Sequence, residues 1–121
     1  MGRTIQPKSN GEDFLPMVSI REKDQYVVGK VMGLGETANG NPYATLELHD
    51  LEGSTQKSVS KGVYEEVDVD IKSLVQLVGS TKQLREMIPQ LQVGEIVTVK
   101  NLGKAKLSRG RTMNQYSMEA N

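Results

Sequence analysis

The stretch Gln25-Tyr26-Val27-Val28-Gly29-Lys30-Val31-Met32-Gly33-Leu34-Gly35 decides how the rest of the chain is read. Its β-branched and aromatic residues fit a pleated, half-buried strand. Three glycines interrupt it, and glycine inside a strand marks a bend or a close backbone approach. A long strand of this kind can coil hard enough to serve a small barrel. Glu36-Thr37-Ala38-Asn39-Gly40-Asn41-Pro42 follows, and Asn-Gly between two β-like runs signals a hairpin. The next run, Tyr43 to Asp50, alternates cleanly. Ala44, Leu46 and Leu48 share one face, and Tyr43, Thr45, Glu47 and His49 the other, as in a half-buried antiparallel strand.

Working outward, Leu51-Glu52-Gly53-Ser54 turns the chain. In residues 55–71, Lys57, Val59 and Lys61 alternate with serines, and Val67, Val69 and Ile71 alternate with Glu66, Asp68 and Asp70. This predicts strand, broken at Gly62. Leu74, Val75, Leu77 and Val78 form an apolar patch ending at Gly79. Ser80 or Thr81 reads as a helix N-cap, and Ser80 with Gln83 resembles a capping box. Leu84, Met87, Ile88 and Leu91 share a helical face and Pro89 limits its length, so a short helix is expected over 81–89. Ile96 to Leu107 reads as a strand, Ser108-Arg109-Gly110-Arg111 as a turn, and Thr112 to Glu119 as the last strand. The order is three strands, a helix and two strands. It predicts an all-β chain with one short helix, built as a five-stranded OB-fold Greek-key barrel. An SH3-like barrel and a small β-sandwich are the alternatives, and the helix between the third and fourth strands favours the OB order. Residues 1–17, mixed in Gly, Pro, Ser, Asn and charge, read as a flexible N-terminal arm, and 18–121 as the OB domain.

A chain of 121 residues and 13.3 kDa fits one domain. No apolar run approaches the roughly 18 residues that span a bilayer, and the N-terminal residues lack the apolar core of a signal peptide. A cytoplasmic protein with no membrane partner is expected. The absence of cysteine removes disulfides and thiolate metal sites, and a single histidine, His49, removes His-pair zinc sites. Gly33-Leu34-Gly35-Glu36-Thr37-Ala38 has the spacing of a dinucleotide loop, but Asn39-Gly40-Asn41-Pro42 forbids the helix that must follow. Gly103-Lys104 lacks the upstream glycine of a phosphate loop. His49 and Asp50, adjacent on a strand, point to opposite faces and make no triad. No cofactor, no metal and no enzymatic activity are expected.

Fifteen Lys and Arg balance fifteen Asp and Glu, so the net charge is zero. That total argues against a nucleic-acid binder, whose signature is a basic excess. The local distribution argues for one. Lys100, Lys104, Lys106, Arg109 and Arg111 straddle the last hairpin with no acid among residues 100–111. In OB-folds this loop and the first interstrand loop flank the oligonucleotide groove, where cations neutralise phosphates. The competing reading is a solvated basic hairpin that guards a sheet edge. Tyr43, beside Asn39 and Asn41, is the best stacking candidate, and Tyr26 and Tyr116 read as partial core. Lys30, Lys57 and Lys61 extend the basic track. The acidic group Glu65, Glu66, Asp68 and Asp70 reads as a solvated face that repels DNA or meets a basic hairpin of another subunit.

Four segments carry a resemblance: Val28-Gly29-Lys30-Val31, Gly40 to Leu48, Val93 to Lys104, and Arg109 to Asn114, together spanning roughly 20–119. The chain resembles small phage-encoded OB-fold single-stranded DNA-binding proteins. The resemblance implies largely sequence-independent binding of single-stranded DNA, or of RNA, during replication or recombination in the host cytoplasm; the few aromatic residues predict weak intrinsic affinity or binding that needs a homo-oligomer. Many such proteins carry an acidic tail, and Ser117-Met118-Glu119-Ala120-Asn121 is not one, so tail-mediated recruitment is not expected. The second reading is a protein-interaction OB module, such as a virion component or a regulator of a host enzyme. It predicts an exposed apolar patch, for which the run at Leu74, Val75 and Leu77 is one candidate.

Overall fold

The computed structural model describes residues 15–60, 62–106 and 108–121. They form β1 (Met17–Ser19), β2 (Tyr26–Glu36), β3 (Pro42–Glu52), β4 (Ser54–Ser60), β5 (Val63–Glu66), β6 (Leu74–Val78), β7 (Ile96–Lys106) and β8 (Thr112–Ala120). One helix, α1 (Lys82–Met87), runs into a single 3-10 turn, Ile88–Gln90. The strands make one curled sheet in the order β5-β4-β1-β6-β3-β2-β7-β8, a half-barrel in outline. Neighbours are antiparallel except β1 with β6.

The β2–β3 pairing slips twice, at Val28/Gly29, where the extra residue is His49 of β3, and at Val31/Gly33, where it is Met32 of β2, and each extra residue adds bend and twist. Gly29 is required there, since a Cβ would lie 2.8 Å from the Glu47 carbonyl oxygen. The concave face buries Val27 and Val31 of β2, Ala44, Leu46 and Leu48 of β3, Val75 and Leu77 of β6, and Val97 and Val99 of β7. Leu84, Ile88 and Leu91, from α1 and the turn after it, close this core.

Several local expectations change. The sheet has eight strands rather than five: the strand expected over 55–71 is a hairpin of two, β4 and β5, and the short β1 and the apolar run Leu74–Val78, which is β6, join as further strands. The proposed arm over 1–17 lies outside the described residues up to Phe14. Met17 pairs with Gln56 and Gln76, and the Pro16 carbonyl accepts from the Gln76 amide at 2.9 Å, so these two residues belong to the sheet. The break at Gly62, with φ +76°, falls as expected. Val67 to Asp70 is not strand. It is an irregular segment tied by the Val67 amide to the Thr55 carbonyl, and its Val69 packs on the core. Thr81, not Ser80, caps α1, its hydroxyl accepting from the Leu84 amide at 3.4 Å. Gln83 forms no capping box; its Oε1 accepts from the Tyr116 amide at 2.8 Å and ties the helix to β8.

Asn101 is fully buried, and all of its hydrogen-bonding groups are used. Its Nδ2 donates to the Ile20 carbonyl at 2.8 Å, and its Oδ1 accepts from the Gly103 amide at 2.7 Å. Its main chain exchanges bonds with the 20–25 turn, Asn101 N to Gln25 O and Asp24 N to Asn101 O, both 2.8 Å. Asn101→Ala leaves two buried backbone groups without partners, which costs on the order of 2–4 kcal/mol. Urea unfolding should show a lower midpoint with an unchanged slope.

Burial raises the Tyr116 phenol above its ordinary 10.0, although Asn114 and the Arg21 charge act the other way. The folded chain therefore keeps this proton at pH values where an unfolded chain releases it. Stability should fall as pH rises past about 10, and Tyr116→Phe should lose that part of the fall in urea titrations.

Candidate nucleic-acid interface

The β7–β8 hairpin pairs from Val97 with Ala120 to Lys106 with Thr112, and turns through Arg109 at φ +65° and Gly110 at φ +73°. Lys100, Lys104, Lys106, Arg109 and Arg111 are all exposed. They do not share one face. The register slips between Asn101 and Gly103, so that Lys100 stands opposite Ser117 but Lys104 opposite Asn114. Ser117 and Asn114 are three residues apart on an unbroken strand and face opposite ways. The bulge thus turns Lys104 and Lys106 away from the face that carries Lys100, which simple alternation along β7 would not have done.

That outer face, shared by β3, β2 and β7, is not basic. Lys100 lies 3.8 Å from the Asp24 carboxylate, an exposed pair that contributes little energy but offsets its charge. Lys30 stands between Glu47 and Ile96 in one row across the strands, a row that Leu74 extends. The Tyr26 hydroxyl donates to Asp50 Oδ2 at 2.9 Å, and this bond with the neighbouring carboxylates raises the phenol. His49 Nε2 lies 3.3 Å from Glu47 Oε1. With Glu52 and Glu119 added by register, the acids on this face outnumber Lys30 and Lys100.

The basic end gains two residues from elsewhere. The turn that Asn101 holds against β7 carries Arg21 and Lys23. The Lys23 stem covers Gly103, where a Cβ would stand 3.2 Å from its Cγ and Cδ, and Gly103 itself needs its φ of +96°. Arg21 is close enough for its charge to favour the Tyr116 phenolate. Arg21, Lys23, Lys100, Lys104, Lys106, Arg109 and Arg111 therefore gather at one end, with Glu22 and Asp24 among them. Sequence reading missed Arg21 and Lys23 because Arg21-Glu22-Lys23-Asp24 alternates in sign and looks neutral.

The other expected residues lie elsewhere. In the β2–β3 loop, the Thr37 amide donates to the Asn41 carbonyl at 2.8 Å, and the Thr37 hydroxyl accepts from the Asn41 amide at 3.2 Å. Asn39 is exposed there and Asn41 half-buried. Tyr43 lies across Gly35, where a Cβ would come within 2.6 Å of the phenol oxygen. The β2–β7 ladder runs from Tyr26 with Lys100 to Lys30 with Ile96. This loop extends beyond one end of the ladder and the basic hairpin beyond the other, so the pairing does not bring Asn39, Asn41 and Tyr43 to the hairpin cations. Lys57 is on β4 opposite Glu65, with four strands between it and β7. Lys61 lies outside the described residues.

Among the described residues no group of three His, Cys, Asp or Glu is placed to hold a metal ion, and no helix is long and apolar enough to cross a membrane. Comparison with family models, curated proteins and solved structures finds no match for the chain.

The Tyr43 ring over Gly35 should shift the Gly35 Hα resonances upfield. Tyr43→Leu should return them to ordinary values, and an unshifted Gly35 in the unaltered protein would contradict this seating of the ring.

Proposed function

We propose that this chain is an elaborated OB-type barrel that binds single-stranded DNA with little sequence preference, in the manner of phage replication and recombination proteins. The strand order β6-β3-β2-β7-β8, with α1 between β6 and β7 in the chain, supports the OB reading. It matches the five-stranded Greek-key order, with β1, β4 and β5 as additions beside β6. The observation that carries the binding reading is the turn held against the hairpin by Asn101, which adds Arg21 and Lys23 to five hairpin cations. A chain of zero net charge thereby presents a local phosphate-binding surface.

In this reading Lys104, Lys106, Arg109 and Arg111 hold phosphates together with Arg21 and Lys23. Lys100 and Lys30 contribute less, being offset by Asp24 and Glu47. Tyr43 stacks a base only where the strand reaches the β2–β3 loop, so electrostatics dominates over stacking. The role is that of a binding module without a cofactor or a catalytic step. The protein-interaction alternative predicts an exposed apolar patch, and the candidate for it at Leu74, Val75 and Leu77 is not one. Val75 and Leu77 are 0% and 2% exposed, and only Leu74, at 43%, reaches the surface.

Fluorescence anisotropy with a labelled oligodeoxythymidine of about 30 nucleotides, between about 50 and 200 mM salt, tests this. Binding should weaken steeply with salt and exceed that to duplex DNA. Arg109→Ala with Arg111→Ala should flatten the log–log salt slope by about 1.4, and Arg21→Ala with Lys23→Ala should do the same, at roughly 0.7 per phosphate contact on a single strand. Lys57→Ala should leave the slope unchanged. No binding at low salt with tens of micromolar protein would overturn the proposal.

A further inference from the structure

The two ends of the sheet order are chemically unlike. At one end β5 pairs only with β4, and all four of its residues are exposed. An open edge strand invites pairing with another chain, and lysine is the common guard against it. Here the edge presents Val63 and Tyr64, 50% and 51% exposed, followed by Glu65 and Glu66, with Asp68 and Asp70 just beyond. Lys57 faces Glu65 from β4, yet among the described residues no cation lies within ion-pair distance of these four carboxylates. At the other end of the order stands the β7–β8 hairpin, with its exposed cations and with Leu102 47% exposed.

We propose that copies of this chain associate head to tail, the open β5 edge of one copy lying against the basic β7–β8 hairpin of the next. Charge complementarity selects the occupant. The chain carries both halves of the contact, an edge with Glu65, Glu66, Asp68 and Asp70 and a hairpin with Lys100, Lys104, Lys106, Arg109 and Arg111. Exposed apolar residues on both sides, Val63 and Tyr64 against Leu102, supply area that the charges alone would not. Because the two patches differ, a pair of copies still has one of each free, and association continues past the dimer. The contact uses cations assigned above to phosphate, but it does not depend on that assignment, and its test is run without nucleic acid.

Sedimentation velocity of the full, nuclease-treated chain provides the test, at about 10 and about 150 mM salt, between which the screening length contracts from roughly 30 to 8 Å. At low salt the sedimentation coefficient should rise with concentration beyond the dimer value, and at high salt the association should weaken about tenfold or more. Glu65→Lys with Glu66→Lys should be monomeric, and so should Arg109→Glu with Arg111→Glu. An equimolar mixture of the two variants should associate again, since each supplies the charge the other has lost. The salt comparison on the unaltered chain stands even if a variant misfolds. A monomer at about 100 µM in low salt, a species that stops at the dimer, association indifferent to salt, or a mixture that stays monomeric would each overturn the proposal.

Discussion

The carboxamide of Asn101 joins parts of the chain that are far apart in sequence. Enclosed on all sides, it cannot turn to water, so its donor and acceptor must be met by protein groups, and Ile20 and Gly103 meet them. Two consequences follow from that one site. The bulge in β7 is pinned between Asn101 and Gly103, which reverses the side-chain parity of everything beyond it. The 20–25 turn is fastened to the same strand, which brings Arg21 and Lys23 to the hairpin. The core of the sheet depends on apolar burial spread over many residues, but the composition of the basic end depends on this contact.

Much of the fold could be read from local pattern. The alternation of Ala44, Leu46 and Leu48 with polar neighbours, the glycines of β2 and the helix limited by Pro89 all depend on residues close in sequence, and each survives in the structure. Other features depend on distant partners and leave no local trace. Three residues suffice for β1 because β4 and β6 both accept it. The alternation of Val67, Val69 and Ile71 with acids has the period of a strand, yet only Val67 and Val69 are drawn inward, and the segment takes its shape from covering the core. The run at Leu74 to Val78 reads as a surface patch until β3 and β1 are seen to flank it, which buries alternate residues and makes it a central strand.

The candidate site was legible as a count of charges but not as an arrangement. The basic run at 100–111 is where the sequence puts it, on an exposed hairpin. Its division between two faces follows from a bulge that composition does not reveal. Lys30, Lys57 and Lys100 look alike in sequence. Each differs in its neighbour, Glu47, Glu65 or Asp24, which only register and the turn disclose. Zero net charge, which first argued against a phosphate-binding role, is a sum over the whole chain and so a poor guide to any one region of it.

Amide hydrogen exchange followed residue by residue would test the role of Asn101 most directly. The amides of Asp24, Asn101 and Gly103 each donate to a group at this junction. If the junction is as firmly held as the core, these three amides should exchange as slowly as those of Val31 and Leu48, and should lose protection together in Asn101→Ala while the core amides keep theirs. Fast exchange at Asp24 and Gly103 in the unaltered protein, beside a protected core, would contradict the view that this residue fixes the basic end.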